Sequence, residues 1–564
     1  MQEKLLEVEG LTIEFPTKNG PKTVVKNLNF QLEQGDKLGI VGESGSGKSM
    51  TALALMGLLP NLSRISNGQV RYKGKDLLTT PEAELRRIRG NEISMIFQEP
   101  MTSLNPVFNI GNQISEVLRL HRGLDEKQAI QKAVELLEAV RIPRAAERIS
   151  DYPHQLSGGQ RQRVMIAMAL ACEPSILIAD EPTTALDVTV QSEIFALLND
   201  LREKFNTSLI LITHDMGVVY QMVHKMLVMY GGEKVEEGEV RNVIATPLHP
   251  YTRGLIACVP HISADQTKRL SRLPEIKGKQ HDFTPGVPLK LKKQNTSKKL
   301  PIPALIVENL AVSYQTREKD RGGKYKTFDA VKDVSFTIEK GKSLGIVGES
   351  GAGKTSVALA IARLIRRAAG KIILAGEDFG ELDEKKVRHA RRGVQFIFQD
   401  PYSSLNPRLR AADIVREPMV YAGNVTRSDQ EAMIDDLFQA VGLMPEQKSL
   451  FPHQFSGGQR QRIGIARALA TRPSLIICDE PVSALDVAVQ AQTLNLLKSL
   501  QEKFDLTYLF ISHDMGVVYH MCDDVMVMYM GEVMEHKNST LFFSKPSHPY
   551  SKQLLNAVPQ IDMA

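Results

Sequence analysis

The chain has 564 residues, of which 24% are charged and 42% hydrophobic, a composition typical of folded globular proteins and not of disordered ones. It contains no run of about 18 uninterrupted apolar residues, and its start lacks a basic stretch followed by an apolar one, so we expect neither a membrane-spanning helix nor a secretory signal. The net charge of +5 is concentrated in residues 261–303, which carry ten Lys and Arg against three acids, and this argues against a general nucleic-acid-binding surface. The four cysteines are scattered without metal-ligand spacing and predict reduced structural thiols.

The first chemical motif along the chain is GESGSGKS at 42–49, between an apolar strand pattern at 37–41 and a helix pattern at 51–59. Glycines in such a loop let backbone N–H groups surround phosphate oxygens, and the helix N-terminus adds the positive end of its dipole. Lys48 is expected at the β- and γ-phosphates and Ser49 at Mg²⁺. The predicted phosphate-loop residues are Gly42, Ser44, Gly45, Ser46, Gly47, Lys48 and Ser49.

Two further apolar runs end in residues that can act on a phosphate group. SILIAD at 175–180 is typical of a buried parallel strand, and it ends in Asp180, which Glu181 follows. Because ligands bind at the carboxyl ends of such strands, we expect Asp180 to hold Mg²⁺, through water, and Glu181 to orient the attacking water. SLILITH at 208–214 ends in His214, which we interpret as a γ-phosphate sensor.

The whole pattern returns in the second half of the chain. LGIVGESGSGKS (38–49) returns as LGIVGESGAGKT (344–355), and HDMGVVY (214–220) returns at 513–519. From residue 157 onward the offset is a constant 299 residues, which indicates duplication of a domain. The predicted domains are 1–260 and 304–564, and they are joined by a basic, proline-containing linker at 261–303. The linker is expected to be a solvated tether, with contact to anionic lipid headgroups as the alternative. The second-half counterparts are Gly348, Ser350, Gly351, Ala352, Gly353, Lys354, Thr355, Asp479, Glu480 and His513.

LSGGQ (156–160) and FSGGQ (455–459) resemble the signature of ATP-binding cassette (ABC) ATPases, and the resemblance covers both halves almost end to end. It implies an α/β fold in which each half has a phosphate-loop (RecA-like) core, an N-terminal antiparallel β subdomain and a helical subdomain inserted at roughly 105–152. It also implies head-to-tail pairing within one chain, in which the signature of each half completes the ATP site of the other. The residues that the resemblance adds to the sites are Phe15, Gln98, Ser157, Gly158, Gly159, Gln160, Asp187, Tyr314, Gln399, Ser456, Gly457, Gly458, Gln459 and Asp486.

Among these added residues, Gln98 and Gln399 are also implied near Mg²⁺. Phe15 and Tyr314 match the family's adenine-stacking aromatic, with a plain core role as the alternative.

A narrower resemblance rests on QEPMTSLNP (98–106), QDPYSSLNP (399–407) and the HPY segments at 249–251 and 548–550. These resemble the oligopeptide, dipeptide and nickel importer branch, and the fused form is similar to the ATPase of the microcin C-type peptide importer. The resemblance implies ATP and Mg²⁺ as cofactors, two permease subunits as partners, indirect work with a substrate-binding protein, and a peripheral position on the cytoplasmic face of the inner membrane. Many members of this branch carry a cysteine cluster for an iron–sulfur centre after the HPY segment, but neither the linker at 261–303 nor the stretch after the second HPY segment contains a cysteine, so we expect no such centre.

Tandem cassettes without membrane spans also occur in ribosome-associated translation factors and in DNA-repair proteins. The first class needs a long charged helix between the cassettes, and the second needs zinc-ligand cysteines, which this sequence lacks. We therefore favour an importer ATPase with no nucleic-acid partner over a ribosome-associated ATPase or a scaffold. Both ATP sites are expected to be competent because Glu181 and Glu480 are both present. The transported substrate is not indicated.

Overall fold

The structure is a computed structural model that describes residues 4–17, 20–98, 103–183, 186–262, 266, 268–271, 273, 302–319, 325–423, 426–559 and 561. These residues form two compact units. Unit 1 contains the described residues up to Ile256 together with Pro559 and Ile561, and unit 2 contains those from Ala257 to Val558. The division falls close to the predicted limit at residue 260. However, the residues from 257 onward, after the first HPY segment, belong to unit 2, and Pro559 and Ile561, after the second HPY segment, belong to unit 1.

Unit 1 contains two sheets. Its strands are Lys4–Thr17 (β1), Gly20–Glu33 (β2), Lys37–Val41 (β3), Arg64–Tyr72 (β4), Lys75–Asp76 (β5), Ile93–Ile96 (β6), Ile176–Asp180 (β7), Ser208–Ile212 (β8), Lys225–Tyr230 (β9) and Glu233–Glu239 (β10). The antiparallel sheet has the order β2-β1-β4-β5, and the second sheet has the order β10-β9-β3-β8-β7-β6, with β10 as its antiparallel edge. The inner strands of the second sheet are parallel.

Helices flank the parallel sheet and form the insertion between β6 and β7. They are Lys48–Leu55 (α1), Glu82–Ile88 (α2), Ile110–Arg122 (α3), Glu126–Ala139 (α4), Ala145–Arg148 (α5), Gly158–Leu170 (α6), Val188–Phe205 (α7), Met216–Met222 (α8), Val240–Ala245 (α9) and Pro250–Ala257 (α10). Helices α3 to α5 lie within the range predicted for the helical subdomain.

Unit 2 repeats the two sheets. Its strands are Leu305–Lys319 (β11), Tyr325–Ile338 (β12), Ser343–Val347 (β13), Ala369–Leu374 (β14), Glu377–Asp378 (β15), Val394–Ile397 (β16), Leu475–Asp479 (β17), Thr507–Ile511 (β18), Asp524–Tyr529 (β19) and Glu532–Asn538 (β20). The sheet orders, β12-β11-β14-β15 and β16-β17-β18-β13-β19-β20, match those of unit 1 strand for strand.

The helices of unit 2 follow the same plan. They are Glu384–Ala390 (α12), Ala411–Ala422 (α13), Arg427–Val441 (α14), Gly457–Leu469 (α15), Val487–Phe504 (α16), Met515–Met521 (α17), Ser539–Ser544 (α18) and Pro549–Asn556 (α19), preceded by Lys354–Ile361 (α11). The predicted fold class is therefore confirmed in both halves.

Burial explains why the short apolar runs become central strands. Every residue of β7, β8, β17 and β18 is buried, as expected for parallel strands covered on both faces. In unit 1 one hydrophobic core joins the two sheets, since Leu6 and Val8 of β1 belong to the same cluster as Ile178 of β7 and Ile210 of β8. The parallel strands are thereby held in place and present their carboxyl ends to the phosphate loop. No helix in the described part of the chain has both the length and the apolar character needed to cross a membrane.

A carboxylate on the edge strand holds the HPY turn in each unit. Glu236 on β10 accepts the backbone N–H groups of Leu248 and His249 at 2.8 and 3.0 Å, and Glu535 on β20 accepts those of Ser547 and His548 at 2.8 and 3.0 Å. Burial alone would raise the pKa of Glu535, but the ion pair with Lys537 at 2.8 Å and the two backbone N–H groups outweigh burial and hold that pKa at about 2. The carboxylate is therefore charged at neutral pH and fixes the turn before α19.

We predict that Glu535→Gln lowers the free energy of unfolding by about 1–3 kcal/mol at pH 7, because a neutral amide replaces a charged acceptor of two N–H groups. Since the pKa is lowered in the folded state, the stabilisation is present above the ordinary pKa of 4.5 and is lost as the pH falls toward about 2. The difference between variant and parent should therefore shrink below pH 4.5 in urea unfolding of the full chain. Glu532→Gln, on the same strand but in an exposed pair with Lys332, is the control and should cost under about 1 kcal/mol. Equal losses for the two variants would contradict this account.

Candidate functional site

In each unit the loop between the first core strand and the following helix folds around its own lysine. Lys48 Nζ donates to the carbonyl oxygens of Gly42 and Glu43 at 2.7 and 2.9 Å, and Lys354 makes the same bonds to Gly348 and Glu349. Gly42 has a φ of 149°, and a Cβ there would lie 2.2 Å from the carbonyl oxygen of Met229. Only glycine fits this position, so the loop keeps a concave row of N–H groups, as a phosphate site requires.

Other members of the two loops line the same concavity or its rim. Gly45, Gly47, Gly351 and Gly353 all have positive φ, while Ser44 and Gly351 lie on the exposed side. Ser46 is 3% exposed, and its hydroxyl has no hydrogen-bond partner among the described residues. Ala352 takes the place of Ser46 in unit 2, so that hydroxyl is not common to both loops.

The aspartate at the end of the central strand lies beside the hydroxyl at the start of the helix. Asp180 is 4% exposed, and burial raises its pKa to about 6 while a hydrogen bond from Ser49 acts in the opposite direction. Its Oδ1 atom has no protein partner within the described structure. In unit 2 the Thr355 hydroxyl donates to Asp479 Oδ1 at 3.3 Å. A hydroxyl with a desolvated carboxylate is a donor set that suits Mg²⁺, so these residues fit the predicted metal.

The glutamate that follows is held by the two residues predicted to act with it. Gln98 Nε2 donates to Glu181 Oε2 at 2.9 Å, and His214 Nδ1 lies 3.0 Å from Glu181 Oε1. Unit 2 repeats this, with Gln399 Nε2 2.7 Å from Glu480 Oε2 and His513 Nδ1 3.2 Å from Glu480 Oε1. The structure thus brings together the three residue types that sequence reasoning placed in separate motifs. Both glutamine side chains contact the glutamate, and their predicted position beside Mg²⁺ stays a prediction.

Backbone strain and charge both mark these glutamates. Glu181 and Glu480 have φ of 46° and 48°, in the left-handed region that non-glycine residues rarely adopt and that recurs at active sites. Burial alone would lower the pKa of His214 and of His513, but the hydrogen bond and the negative charge of the adjacent glutamate outweigh it and raise both pKa values. Each histidine is therefore more easily protonated than a free imidazole, as expected for a ring whose Nδ1 faces a carboxylate oxygen.

The remaining predicted residues lie in two regions of each unit. Ser157 caps α6, because its hydroxyl oxygen accepts the Gln160 backbone N–H at 3.3 Å and the Gln160 side-chain oxygen accepts the Ser157 backbone N–H at 3.1 Å. Ser456 and Gln459 make the same two hydrogen bonds at the start of α15. Gly159 and Gly458 pack so closely on the following helix that a Cβ would lie 2.8 Å from Val190 and 2.4 Å from Val489. Gly158 and Gly457 begin the two helices. Asp187 and Asp486 cap α7 and α16 through the N–H groups of Val190 and Val489.

The two predicted adenine-contacting aromatics differ in their surroundings. Phe15 on β1 is partly buried, whereas Tyr314 on β11 is 39% exposed and its hydroxyl lies 3.1 Å from Ser356 Oγ of α11. Met50 occupies the position of Ser356 in unit 1, so the aromatic there has no equivalent hydroxyl beside it. The adenine contact itself stays a prediction for both.

Sequence reasoning missed one contact to the phosphate loop. The tyrosine of each HPY segment accepts a backbone N–H from that loop: Tyr251 Oη from Glu43 at 3.0 Å and Tyr550 Oη from Glu349 at 3.2 Å. Tyr251 is fully buried, and its ring lies 4.3 Å from that of Tyr230, centroid to centroid. The repeated HPY segment was visible in the sequence, but spacing alone does not show that the tyrosine reaches a loop 208 residues away.

Comparison with known proteins decides the family. The family model described as "ABC transporter" matches residues 25–184 and 331–483, which is more than half of the chain. The chain belongs to the ABC transporter family. A second model, described as "Oligopeptide/dipeptide transporter, C-terminal region", matches residues 235–288 and 534–564 and so includes both HPY segments. The chain is thus an ATPase built from two ATP-binding cassettes, as the resemblance implied.

Relatives extend the similarity over almost the whole length. The "Glutathione import ATP-binding protein GsiA" of Shigella dysenteriae serotype 1 is 46% identical over 98% of this chain and 89% of the relative. The protein of the same name from Escherichia coli strain K12 is 45% identical over the same shares. Both cassettes and the segment between them therefore fall within the aligned region.

We predict that Tyr251→Phe together with Tyr550→Phe weakens ATP binding about two- to tenfold, because each phosphate loop then has a backbone N–H that loses its acceptor. Titration with a fluorescent ATP analogue measures the change. Tyr421→Phe, at a position 73% exposed, is the matched control and should bind nucleotide as the parent does. Unchanged affinity in the double variant would show that the HPY tyrosines do not support the loops.

Proposed function

We propose that this ABC ATPase powers the import of peptides or peptide-like solutes through two partner permease subunits, with a substrate-binding protein delivering the solute. The observation that carries the proposal is the pairing of two intact Glu–His–Gln clusters with the match to the oligopeptide/dipeptide transporter region. Similarity to two glutathione import ATP-binding proteins over 98% of the chain supports a small peptide as the solute.

The chemistry follows from the residues at the sheet edge. The loop N–H groups and Lys48 or Lys354 would bind the β- and γ-phosphates, and Ser49 with Asp180, or Thr355 with Asp479, would hold Mg²⁺. Mg²⁺ bound there would offset the negative charge that develops on the transferring phosphoryl group. Glu181 and Glu480 would orient the attacking water, and His214 and His513 would donate to the γ-phosphate. One oxygen of each glutamate contacts the glutamine and the other contacts the histidine, and the remaining lone pairs can still accept the attacking water.

Pairing of the cassettes is part of the proposal and is supported by family resemblance and by the capped signature helices. The N-termini of α6 and α15 carry Ser157 and Ser456 with two glycines after each, an arrangement that can bind an anion from outside the unit. One chain would then supply two complete ATP sites beneath two permeases, on the cytoplasmic face of the membrane. The exposed segments around Pro106 and Pro407 would meet the permeases.

The ribosome-associated alternative has less support. The transporter C-terminal region matches both halves, and relatives named for import align over nearly the whole chain. The expected lack of an iron–sulfur cluster stays a prediction; the four cysteines are all buried.

We predict that Glu181→Gln and Glu480→Gln each reduce ATP turnover of the permease-bound chain by about 10²–10⁴-fold, because each removes a positioned catalytic carboxylate. Membranes holding the chain and its permeases would be assayed for ATP hydrolysis and peptide uptake, with Glu532→Gln as the control. Full hydrolysis in either single variant would make that site a regulatory binder. Sedimentation of the chain with ribosomes in place of permease-containing membranes would overturn the import function.

Head-to-tail pairing can be tested with two double variants. In that arrangement Lys48 and Ser456 face one nucleotide, so Lys48→Ala with Ser456→Ala should retain about the activity of Lys48→Ala alone. Lys48→Ala with Ser157→Ala damages both sites and should be clearly less active, which steady-state ATP hydrolysis will show. The reverse order would contradict head-to-tail pairing. Two copies of the chain per permease pair, measured by native mass spectrometry, would contradict the proposed stoichiometry.

A further inference from the structure

The chain that follows the first HPY helix belongs to unit 2. We call residues 258–273 the arm; its described residues are 258–262, 266, 268–271 and 273. The sequence predicted a solvated tether from residue 261 onward, and this is wrong for the described part of the arm. Leu270 and Leu273, which belong to unit 2, are 9% and 5% exposed. Leucine burial of this kind offsets the entropy lost on ordering the arm.

Helix α16 of unit 2 receives the arm through specific polar contacts. Asn495, which is 5% exposed, accepts the Leu270 N–H at 3.0 Å and donates to the Leu270 carbonyl at 2.9 Å. One turn further along α16, Lys498 Nζ donates to the Gln266 carbonyl, and one turn beyond that Glu502 pairs with Arg269 at 2.5 Å. A buried amide that satisfies both backbone groups of one residue fixes the register of the arm.

The counterpart helix of unit 1 lacks the two main receiving side chains. At the constant offset, Ala196 stands where unit 2 has Asn495, and Asn199 stands where it has Lys498. Asn199 is engaged by Lys37 and Met222 within unit 1. The docking surface on α16 is therefore a specialisation of unit 2 and not a general feature of the duplicated fold.

The arm also contacts both ends of the short helix that follows the catalytic histidine. Helix α17 begins at Met515, immediately after its N-cap Asp514, and His513 precedes that cap. At its start, the Pro260 carbonyl oxygen lies so close to Gly516 that a Cβ there would be 2.3 Å away. At its end, Gln266 Nε2 donates to the Tyr519 carbonyl at 2.8 Å and to Ser539 Oγ at 3.2 Å.

We infer that the arm positions α17 and, through it, His513 against Glu480, so that Gln266 and Gly516 are positioning residues for ATP hydrolysis in unit 2. A simple tether needs no contact with this helix, whereas the arm contacts its first turn and the carbonyl of its last turn. Unit 1 offers a related contact, since a Cβ on Gly217 would lie 2.9 Å from the Pro559 carbonyl oxygen. Thus Pro260, which follows the first HPY helix (α10), lies against Gly516 of unit 2. Pro559, which follows the second HPY helix (α19), lies against Gly217 of unit 1.

This inference rests on the proposed role of His513 and Glu480. The test uses the full-length chain with its permeases and the variant Gln266→Glu, which keeps the size of the side chain but removes the N–H donors to Tyr519 and Ser539. We expect kcat for ATP hydrolysis to fall about three- to tenfold, with KM for ATP changed less than about twofold, because loss of one or two hydrogen bonds shifts the histidine and not the phosphate loop. Backbone amides of residues 515–521 should exchange hydrogen faster in the same variant.

Gly516→Ala disturbs the other end of α17 and should have the same two effects. Ser271→Ala is the control, since this exposed side chain belongs to the arm but is not one of the groups described above that contact α17, and it should change neither kcat nor exchange. Unchanged kcat in both test variants overturns the inference, and so does faster exchange without loss of kcat. Glu480→Gln is measured alongside them: if it too leaves turnover intact, the site of unit 2 is a regulatory binder, and the failure lies in the proposed role of Glu480 and His513 rather than in the contacts of the arm.

Discussion

The constraint on which the site depends is the burial of charge at the carboxyl edge of a parallel sheet. Asp180 and Lys48 are 4% and 6% exposed, and an isolated charge so desolvated would be strongly unfavourable. Lys48 is stabilised by two loop carbonyl groups, while Asp180 has a carboxylate oxygen with no partner among the described residues and a raised pKa. A cation there would remove this cost, which ties the strand, the loop and the helix start to one another and to nucleotide binding.

The sequence was sufficient to predict those elements for which one physical rule determines both the residue pattern and the local structure. The buried strands β7 and β17 were predicted because strands covered on both faces are uniformly apolar, and the loops were predicted because a glycine-rich turn between a buried strand and a helix is the arrangement that binds phosphate. It was insufficient for contacts between distant segments. Nothing in the local pattern shows that Tyr251 accepts the Glu43 N–H, and a basic, polar stretch gave no sign that Leu270 would be buried. Such contacts depend on how completed elements pack, which periodicity does not report.

The two halves share the same side-chain contacts around their central glutamate but differ in residues at other positions. Glu181 and Glu480 both have a left-handed backbone conformation, and each contacts one glutamine and one histidine. The corresponding contact distances in the two units differ by only a few tenths of an ångström. Around them, Ser356 replaces Met50 beside the aromatic, and Asn495 replaces Ala196 on the helix that receives the arm. These differences leave the Glu–His–Gln cluster of each unit unchanged while giving each unit a different set of contacts around it.

That asymmetry bears on why the two cassettes lie in one chain. In a dimer of two identical subunits, any contact formed by one subunit is formed by the other as well. A surface such as that of α16 would then have to bind the same segment in both copies. Fusion removes this requirement, because the segment after the first HPY helix is a different sequence from the one after the second. The arm can then carry Gln266, Arg269 and Leu270 for unit 2 alone. Covalent linkage also keeps the arm at high effective concentration near its partner, so a few hydrogen bonds and two buried leucines are enough to hold it in place.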